Sequence, residues 1–97
     1  VYNMNKWGLE GLTRGMALDL AKYNIRVNAI APGYISTELT DEMIAGESGR
    51  KWIERNTPMR RPGEVTELDG AMLLLASDAG SYITGETIAI DGGWLAR

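Results

Sequence analysis

The amino-acid sequence predicts an α/β fold in which helices cover a wound parallel sheet. Three features indicate it: an apolar stripe at helical spacing near the start, two short runs of branched apolar residues, and a second helical stripe between those runs. The predicted order is helix, strand, long connection, helix, strand. This order is typical of the last part of a doubly wound sheet with right-handed crossovers.

Two predicted strands are too few for an independent sheet, because the helices would stay uncovered and a strand edge would stay bare. The chain of 97 residues also opens on Val rather than Met. We therefore expect residues 1–97 to be the carboxyl-terminal fragment of one larger domain, with its other part upstream.

The composition excludes several classes of function. The chain has no cysteine and no histidine, which removes disulfides, thiol nucleophiles, the usual serine-hydrolase base and most zinc sites, so no metal site is expected. A net charge of -3 argues against nucleic acid and anionic membranes as partners. No signal peptide is visible, and the longest apolar run, 71–76, is too short to cross a bilayer. We expect a cytoplasmic protein.

The first helix is expected from about Asn3 to Lys22, and Asn24 can end it in a left-handed conformation. Its predicted apolar stripe consists of Leu9, Leu12, Met16 and Leu20. A second stripe consists of Gly8, Gly11 and Gly15. Each glycine in a helix lowers its stability by about 1 kcal/mol relative to alanine. We therefore expect that another backbone approaches this glycine stripe closely.

Tyr2 and Lys6 stand four residues apart on this helix, so their side chains share one face. A nearby cation stabilises a phenolate and lowers the tyrosine pKa from its usual value of about 10. Such a tyrosine can donate a proton to a carbonyl oxygen or take one from an alcohol. The alternative is an aromatic residue and a lysine on a solvated face. Glu10 and Arg14 are also four apart and favour a surface ion pair.

The first strand is predicted over Ile25–Ala31, ended by Pro32-Gly33. Asn28 stands out in this mostly apolar run; if buried it must be hydrogen-bonded, and we interpret it as a structural link to a neighbouring loop. The following segment, about 34–62, lacks continuous periodicity. A long connection after the carboxyl end of a strand is typical of a lid or binding loop, and a plain surface excursion is the alternative.

Two short helices are expected within this lid-like segment, one capped by Thr40 and one over Gly49–Arg55. The next helix should begin at Pro62-Gly63-Glu64 and stop near Ser77. The second strand is predicted over Thr87–Asp91, and Gly92-Gly93 ends it.

Several signals occur in a fixed order: YNMNK at 2–6, GLTRGMALDLA at 11–21, IRVNAIAPGYIST at 25–37, PMRRPGEVTELDGAMLLLASD at 58–78 and YITGETIAIDGG at 82–93. Together they resemble the carboxyl-terminal part of the short-chain dehydrogenase/reductase family, over essentially the whole chain. One departure is Asn5, where the family usually has a small residue before the lysine.

The resemblance implies a Rossmann-like fold and hydride transfer between NAD or NADP and an alcohol or carbonyl. Tyr2 would be the proton donor or acceptor, and Lys6 would hydrogen-bond the nicotinamide ribose. The turn Pro32-Gly33 and the Ile35 backbone would contact the nicotinamide, and the Thr37 hydroxyl would reach its amide or the phosphates. The competing interpretation of Thr37 is a plain helix cap.

The family's Gly-rich phosphate loop and active-site serine lie upstream of these residues, so the chain alone is expected to be inactive. The ending GETIAIDGGWLAR resembles sugar-acid dehydrogenases of the family, and the same core resembles 3-oxoacyl carrier-protein reductases. The resemblance also implies a homo-oligomer, a tetramer. A non-catalytic assembly module is therefore the alternative function for the fragment. The choice of NAD or NADP, the substrate and the reaction direction stay open.

Overall fold

The computed structural model describes the backbone of residues 2–97 and the side chains of residues 4–97. Within this range the chain forms α1 (Tyr2–Leu20), β1 (Ala29–Pro32), β2 (Ile35–Ser36), α2 (Glu38–Met43), α3 (Glu47–Asn56), β3 (Gly63–Glu64), α4 (Asp69–Ala76) and β4 (Thr87–Ile90). Single 3-10 turns lie at Ala21–Tyr23, Val65–Leu68, Asp78–Gly80 and Trp94–Ala96. The predicted α/β class and the predicted order of the main helices and strands are confirmed.

The chain divides into two units. The first comprises the chain up to Ala31 together with Gly70–Ile88, and the second comprises Pro32–Asp69 and Ala89–Arg97. Both β1 and β4 begin in the first unit and end in the second. No helix in the described part of the chain is both long and apolar enough to cross a membrane.

The strands β1 and β4 are hydrogen-bonded neighbours. The Ala29 N–H donates to the Glu86 carbonyl at 2.9 Å, and the Gly33 N–H donates to the Ile90 carbonyl at 3.0 Å. Donor and acceptor thus both advance by four residues in the same direction, so the pair is parallel. The carboxyl ends of the two predicted strands therefore meet at one edge of the sheet.

The buried face of α1 differs from the predicted apolar stripe. Thr13 and Ala17 are buried, whereas Leu12 is 62% exposed and Met16 is 42% exposed. The helix packs through small side chains because another backbone comes close: a Cβ placed on Gly85 would lie 3.5 Å from the Ala17 methyl group. The helix ends as predicted, with Asn24 left-handed at φ 60° and its N–H bound to the Ala21 carbonyl.

Asn28 links the start of β1 to the loop before β4, as predicted. Its amide nitrogen donates to the Ile83 carbonyl at 2.9 Å, and its amide oxygen accepts the Glu86 N–H at 3.0 Å. The Val27 N–H meanwhile donates to the Thr84 hydroxyl at 3.0 Å. Because these groups bind a loop rather than a strand ladder, β1 begins at Ala29, and the predicted start at Ile25 is wrong.

The lid-like segment contains the two expected short helices, but the predicted cap of the first is wrong. Thr37, not Thr40, is the N-cap of α2, and its hydroxyl accepts the Thr40 N–H at 3.2 Å. The Thr40 hydroxyl in turn accepts the Thr37 N–H at 2.8 Å, so the two threonines form a capping box. The second helix, α3, extends the predicted range by a few residues to Glu47–Asn56.

The residues Pro62-Gly63-Glu64 do not begin a helix. Gly63 and Glu64 form the strand β3, which pairs in parallel with Ile35 and Ser36 of β2. The Gly63 N–H donates to the Tyr34 carbonyl at 2.8 Å, so this backbone is already paired before a helix can start. The helix α4 begins only at Asp69, after a 3-10 turn.

An ion pair connects Arg61, just before β3, with Glu67 in the 3-10 turn after it. Two guanidinium nitrogens of Arg61 donate to the Glu67 carboxylate at 2.7 and 3.0 Å, and the Glu64 N–H donates to the same group at 3.0 Å. These bonds, with Arg61 the larger cause, lower the pKa of Glu67 from 4.5 to about 2. The carboxylate therefore stays charged well into the acid range.

The core of the second unit consists of buried Ile53 and three aromatic rings, which we call the aromatic triad: Tyr34, Trp52 and Trp94. Their ring centroids lie 5.1 Å (Tyr34–Trp52), 6.0 Å (Tyr34–Trp94) and 5.5 Å (Trp52–Trp94) apart. Pairs at such distances each add about 0.5–1.5 kcal/mol beyond the burial of their area. The triad joins the turn after β1, the helix α3 and the last turn of the chain.

Gly33 lies where the ends of β1 and β4 come closest. A Cβ placed on Gly33 would be 2.7 Å from the Asp91 Cβ and 2.8 Å from the Asp91 Cα. Such distances are shorter than carbon atoms tolerate, and one of them involves backbone that cannot rotate away. Glycine is therefore required here by close approach, not by an unusual φ angle.

We predict that Gly33→Ala lowers the free energy of unfolding by about 1–3 kcal/mol, because the methyl group forces the two strand ends apart. Denaturant unfolding of the complete protein measures this change. Gly70→Ala is the matched control, since no atom lies within 4 Å of a Cβ at that position in α4. Equal effects of the two substitutions would contradict the prediction.

Candidate functional site

The helix α1 begins at Tyr2, so the backbone places positions 2, 6 and 10 one turn apart. The Tyr2 side chain lies outside the described residues. The Lys6 ammonium binds the Glu10 carboxylate, and both side chains are half-buried, at 19% exposure each. The predicted ion pair of Glu10 with Arg14 is wrong, because Lys6 takes this carboxylate from the preceding turn.

The ion pair shapes the charge at the start of α1. The hydrogen bond from Lys6 is the main cause that lowers the pKa of Glu10 below its ordinary value, and the charges of Lys6 and Arg14 act in the same direction. The carboxylate therefore remains ionised near neutral pH and holds the ammonium one turn beyond Tyr2. Sequence reasoning missed this role of Glu10, although its position four residues after Lys6 was a visible signal.

The turn after β1 is built by backbone contacts of the second unit. Pro32 is the last residue of β1, and the Gly33 N–H is bound to the Ile90 carbonyl. Ile35 follows in β2, and its carbonyl accepts the Thr40 hydroxyl at 2.7 Å. The structure thus brings three of the predicted cofactor residues together in one short turn at the carboxyl end of a parallel strand, where open α/β sheets bind ligands.

Thr37 follows this turn directly. Its hydroxyl accepts the Thr40 N–H and lies 3.0 Å from the Thr40 hydroxyl, so it performs the helix-capping role that was the competing interpretation. The residue is nevertheless exposed. A capping hydroxyl keeps further hydrogen-bonding capacity, so a contact with a cofactor stays a prediction for Thr37.

A pocket of about 130 Å³ lies within the second unit beside this turn. Tyr34 and Ile35 line it from the turn, and Ile90, Asp91 and Gly92 line it from the end of β4. Sequence reasoning did not assign Asp91 or Gly92 to a site. The signal was available, since the carboxyl ends of parallel neighbours meet at one edge of a sheet.

Lys6 belongs to the first unit, and Pro32, Gly33, Ile35 and Thr37 belong to the second. In the described part of the chain, no group of three or more acidic side chains is arranged to hold a metal ion. Among the predicted site residues whose side chains the structure describes, Lys6 and Thr37 carry polar side chains.

Comparison with known proteins identifies the relatives of this chain. A family model described as Enoyl-(Acyl carrier protein) reductase matches residues 1–95. The chain is similar to 2-dehydro-3-deoxy-D-gluconate 5-dehydrogenase of Escherichia coli (strain K12), with 48% identity over 96 residues, which are 99% of this chain and 38% of that protein.

Two solved structures are also similar. One is 4-hydroxyisoleucine dehydrogenase complexed with NADH, with a TM-score of 0.86, 40% identity, and coverage of 93% of this chain and 37% of that one. The other is a gluconate 5-dehydrogenase from Burkholderia cenocepacia J2315 in complex with NADP and tartrate, with a TM-score of 0.83, 39% identity, and coverage of 92% and 35%.

This chain thus spans between 35% and 38% of the length of these three relatives. The match nevertheless extends over nearly all of its own residues, in sequence and in fold, and the relatives are dehydrogenases. The chain belongs to the short-chain dehydrogenase/reductase family.

Proposed function

We propose that the protein containing this chain is an NAD(P)-dependent oxidoreductase that interconverts an alcohol and a carbonyl. The observation that carries the proposal is the turn Pro32-Gly33-Tyr34-Ile35 at the joined carboxyl ends of β1 and β4, in a fold whose solved relatives are named as complexes with NADH and NADP. Which of the two cofactors this protein uses stays open, because both occur among those relatives.

The residues of the turn suit a flat cofactor ring. Pro32 and Thr37 are exposed, so the proline ring and the threonine hydroxyl are accessible to a ligand. We assign Pro32, Gly33 and the Ile35 backbone to the nicotinamide, and the Thr37 hydroxyl to its amide or to the phosphates. When bound, the nicotinamide supplies or accepts the hydride.

Tyr2 and Lys6 are assigned to the proton that accompanies the hydride. In the reducing direction, the Tyr2 hydroxyl gives its proton to the carbonyl oxygen of the substrate, and in the oxidising direction it takes the alcohol proton. The Lys6 ammonium lowers the tyrosine pKa and donates a hydrogen bond to the nicotinamide ribose. Glu10 orients this ammonium through the ion pair described above.

A sugar acid is the substrate class that the comparisons favour. The curated relative acts on a deoxygluconate by its name, and the gluconate 5-dehydrogenase was solved with tartrate, a hydroxylated acid. The second candidate is a 3-oxoacyl carrier-protein reductase-like activity, which the description of the matching family model favours. A third, for the fragment alone, is a non-catalytic assembly module. We further propose a cytoplasmic location.

We also propose that the protein is a homo-oligomer, a tetramer, assembled in part through α1. Gly8, Gly11 and Gly15 have no atom within 4 Å of a placed Cβ, so their own chain leaves this face open in the described part of the structure. Trp7 is 72% exposed on the same helix. Uncovered glycines allow a second helix to approach closely, and the packing gained in this way offsets their cost in helix propensity.

We predict that Tyr2→Phe in the complete protein abolishes turnover while cofactor binding survives. Phenylalanine keeps the ring and removes only the hydroxyl that transfers the proton. Steady-state rates with NAD(P) and a panel of sugar acids, together with cofactor titration, test this prediction. Turnover close to that of the unchanged protein would eliminate Tyr2 as the proton donor.

We predict that Lys6→Met weakens cofactor binding and shifts the pH–rate profile toward alkaline pH, because loss of the cation raises the tyrosine pKa. Glu10→Gln is the matched control, since it keeps the ammonium and removes its counterion. The profile of this control should stay in place or move toward acid. A Lys6→Met protein with both properties unchanged would show that Lys6 is only a surface charge.

We predict that Gly11→Leu or Gly15→Leu weakens assembly, because a large side chain overpacks the face that a neighbouring helix approaches. Sedimentation of the complete protein and of both variants measures the oligomeric state. Tyr82→Ala is the control, since this tyrosine is fully exposed and lies outside α1. A monomeric protein would defeat the proposal, and so would glycine variants that assemble and melt normally.

A further inference from the structure

The aromatic triad connects three segments that are distant in sequence. Tyr34 belongs to the turn after β1, Trp52 belongs to α3 in the lid-like segment, and Trp94 begins the last 3-10 turn. The Tyr34 and Trp94 rings are stacked, with 17° between their planes, whereas Tyr34 and Trp52 meet edge to face at 70°. Each ring therefore contacts the other two, and none of them is fully exposed.

Trp94 is itself held from the end of β4. The Asp91 carboxylate accepts the Gly93 N–H at 3.0 Å and the Leu95 N–H at 3.2 Å, and the Asp91 carbonyl accepts the Trp94 N–H at 3.2 Å. Asp91 is also the residue against which Gly33 packs. Asp91 thus fixes the backbone that carries the Trp94 indole, and the same residue contacts the turn after β1 at Gly33.

These contacts form a closed circuit of residues beside the pocket of the second unit, which Tyr34 and Asp91 line. The circuit runs from Gly33 to Asp91 through close contact, from Asp91 to Trp94 through a hydrogen bond, and from Trp94 through stacking to Tyr34, which is bonded to Gly33 along the chain. Trp94 is therefore connected to the Pro32–Ile35 turn from two sides. The contact of Trp52 with both other rings extends this connection to α3.

Two further contacts of the last residue strengthen the arrangement. The Arg97 guanidinium lies 5.0 Å from the centroid of the Trp94 ring, and it donates to the Asn56 side chain of α3 at 3.4 Å. A cation over an indole face is a favourable pair. The last turn of the chain therefore contacts the end of α3 through charge as well as through the aromatic rings.

We propose that Trp94 is a positioning residue of the cofactor site. Through Tyr34 it fixes the Pro32–Ile35 turn, and through Trp52 it holds the helix α3 of the lid-like segment, without contacting the cofactor itself. This inference rests on the proposed function in one respect, namely the assignment of the turn to the nicotinamide. The contacts that connect Trp94 with the turn do not depend on that assignment.

The test compares Trp94→Ala with Trp94→Phe in the complete protein. We expect Trp94→Ala to raise the KM for the cofactor about tenfold, with a smaller loss in kcat, because a misplaced turn binds the nicotinamide poorly before chemistry begins. Trp94→Phe keeps a ring that can stack and should restore the KM to within about twofold. Tyr82→Ala is the control, since this tyrosine is fully exposed in the first unit and should change neither constant.

A second measurement separates this proposal from the proposed function. Hydrogen exchange without cofactor should become faster in residues 33–36 and in α3 of Trp94→Ala, but not of Trp94→Phe. Should Trp94→Ala fail to fold, Trp94→Leu keeps most of the apolar volume without the ring and carries the same expectations. If the unchanged protein binds neither NAD nor NADP, the proposed function fails, and the exchange result alone decides the connection.

Three results would overturn the proposal. The first is unchanged exchange in both segments of Trp94→Ala. The second is a cofactor KM of Trp94→Ala that stays at the value of the unchanged protein while kcat falls. The third is a Trp94→Phe protein as impaired as Trp94→Ala. Each would mean that the ring does not act through the turn.

Discussion

The parallel pairing of β1 with β4 is the constraint on which the neighbouring turns and loops depend. It joins segments that are far apart in the sequence, and its last hydrogen bond, from the Gly33 N–H to the Ile90 carbonyl, brings Gly33 against Asp91. At the other end, Asn28 holds the loop before β4 with two hydrogen bonds. The pairing therefore has a polar link at its start and a close backbone contact at its end, which together fix its register.

Polar and aromatic groups of the second unit lie at the carboxyl ends of these strands. The turn after β1 and the residues at the end of β4 line one pocket, and Tyr34 of this turn belongs to the aromatic triad. The capping box of Thr37 and Thr40 begins the lid-like segment directly from this turn. A site proposed at this edge would thus rest on backbone whose hydrogen bonds are largely satisfied within the unit, and such backbone keeps its geometry when a ligand binds.

The described chain leaves much apolar surface open. Buried apolar residues in the described part of the chain are few and mostly small (Ala17, Ala31 and Ile53), whereas Met4, Trp7 and Leu18 of α1 are mostly exposed. Surface of this kind is typical of faces that pack against other protein. This agrees with a chain that spans little more than a third of its relatives' length, and with the proposed assembly through α1.

The sequence by itself determined the class of fold, the long first helix with its left-handed end at Asn24, the start of the last strand at Thr87 and the family. These features depend on local periodicity, on residues with special backbone preferences and on motifs that stay in order along the chain. It also correctly predicted the linking role of Asn28, because a polar residue in an apolar run must find partners wherever it is buried.

Only the tertiary structure decided which of several local possibilities each polar group took. By its sequence alone Lys6 could lie on a solvated helix face, but in the structure it binds Glu10. Thr40 could cap α2, but Thr37 is the cap. Gly63 could begin a helix, but its N–H donates to the Tyr34 carbonyl. The predicted buried face of α1 included Leu12, whereas the observed one contains Thr13 and Ala17. The reason is that the loop at Gly85 comes close enough to admit only small side chains. Local periodicity does not specify hydrogen bonds and close contacts between residues that are distant in sequence. Only the tertiary structure shows them.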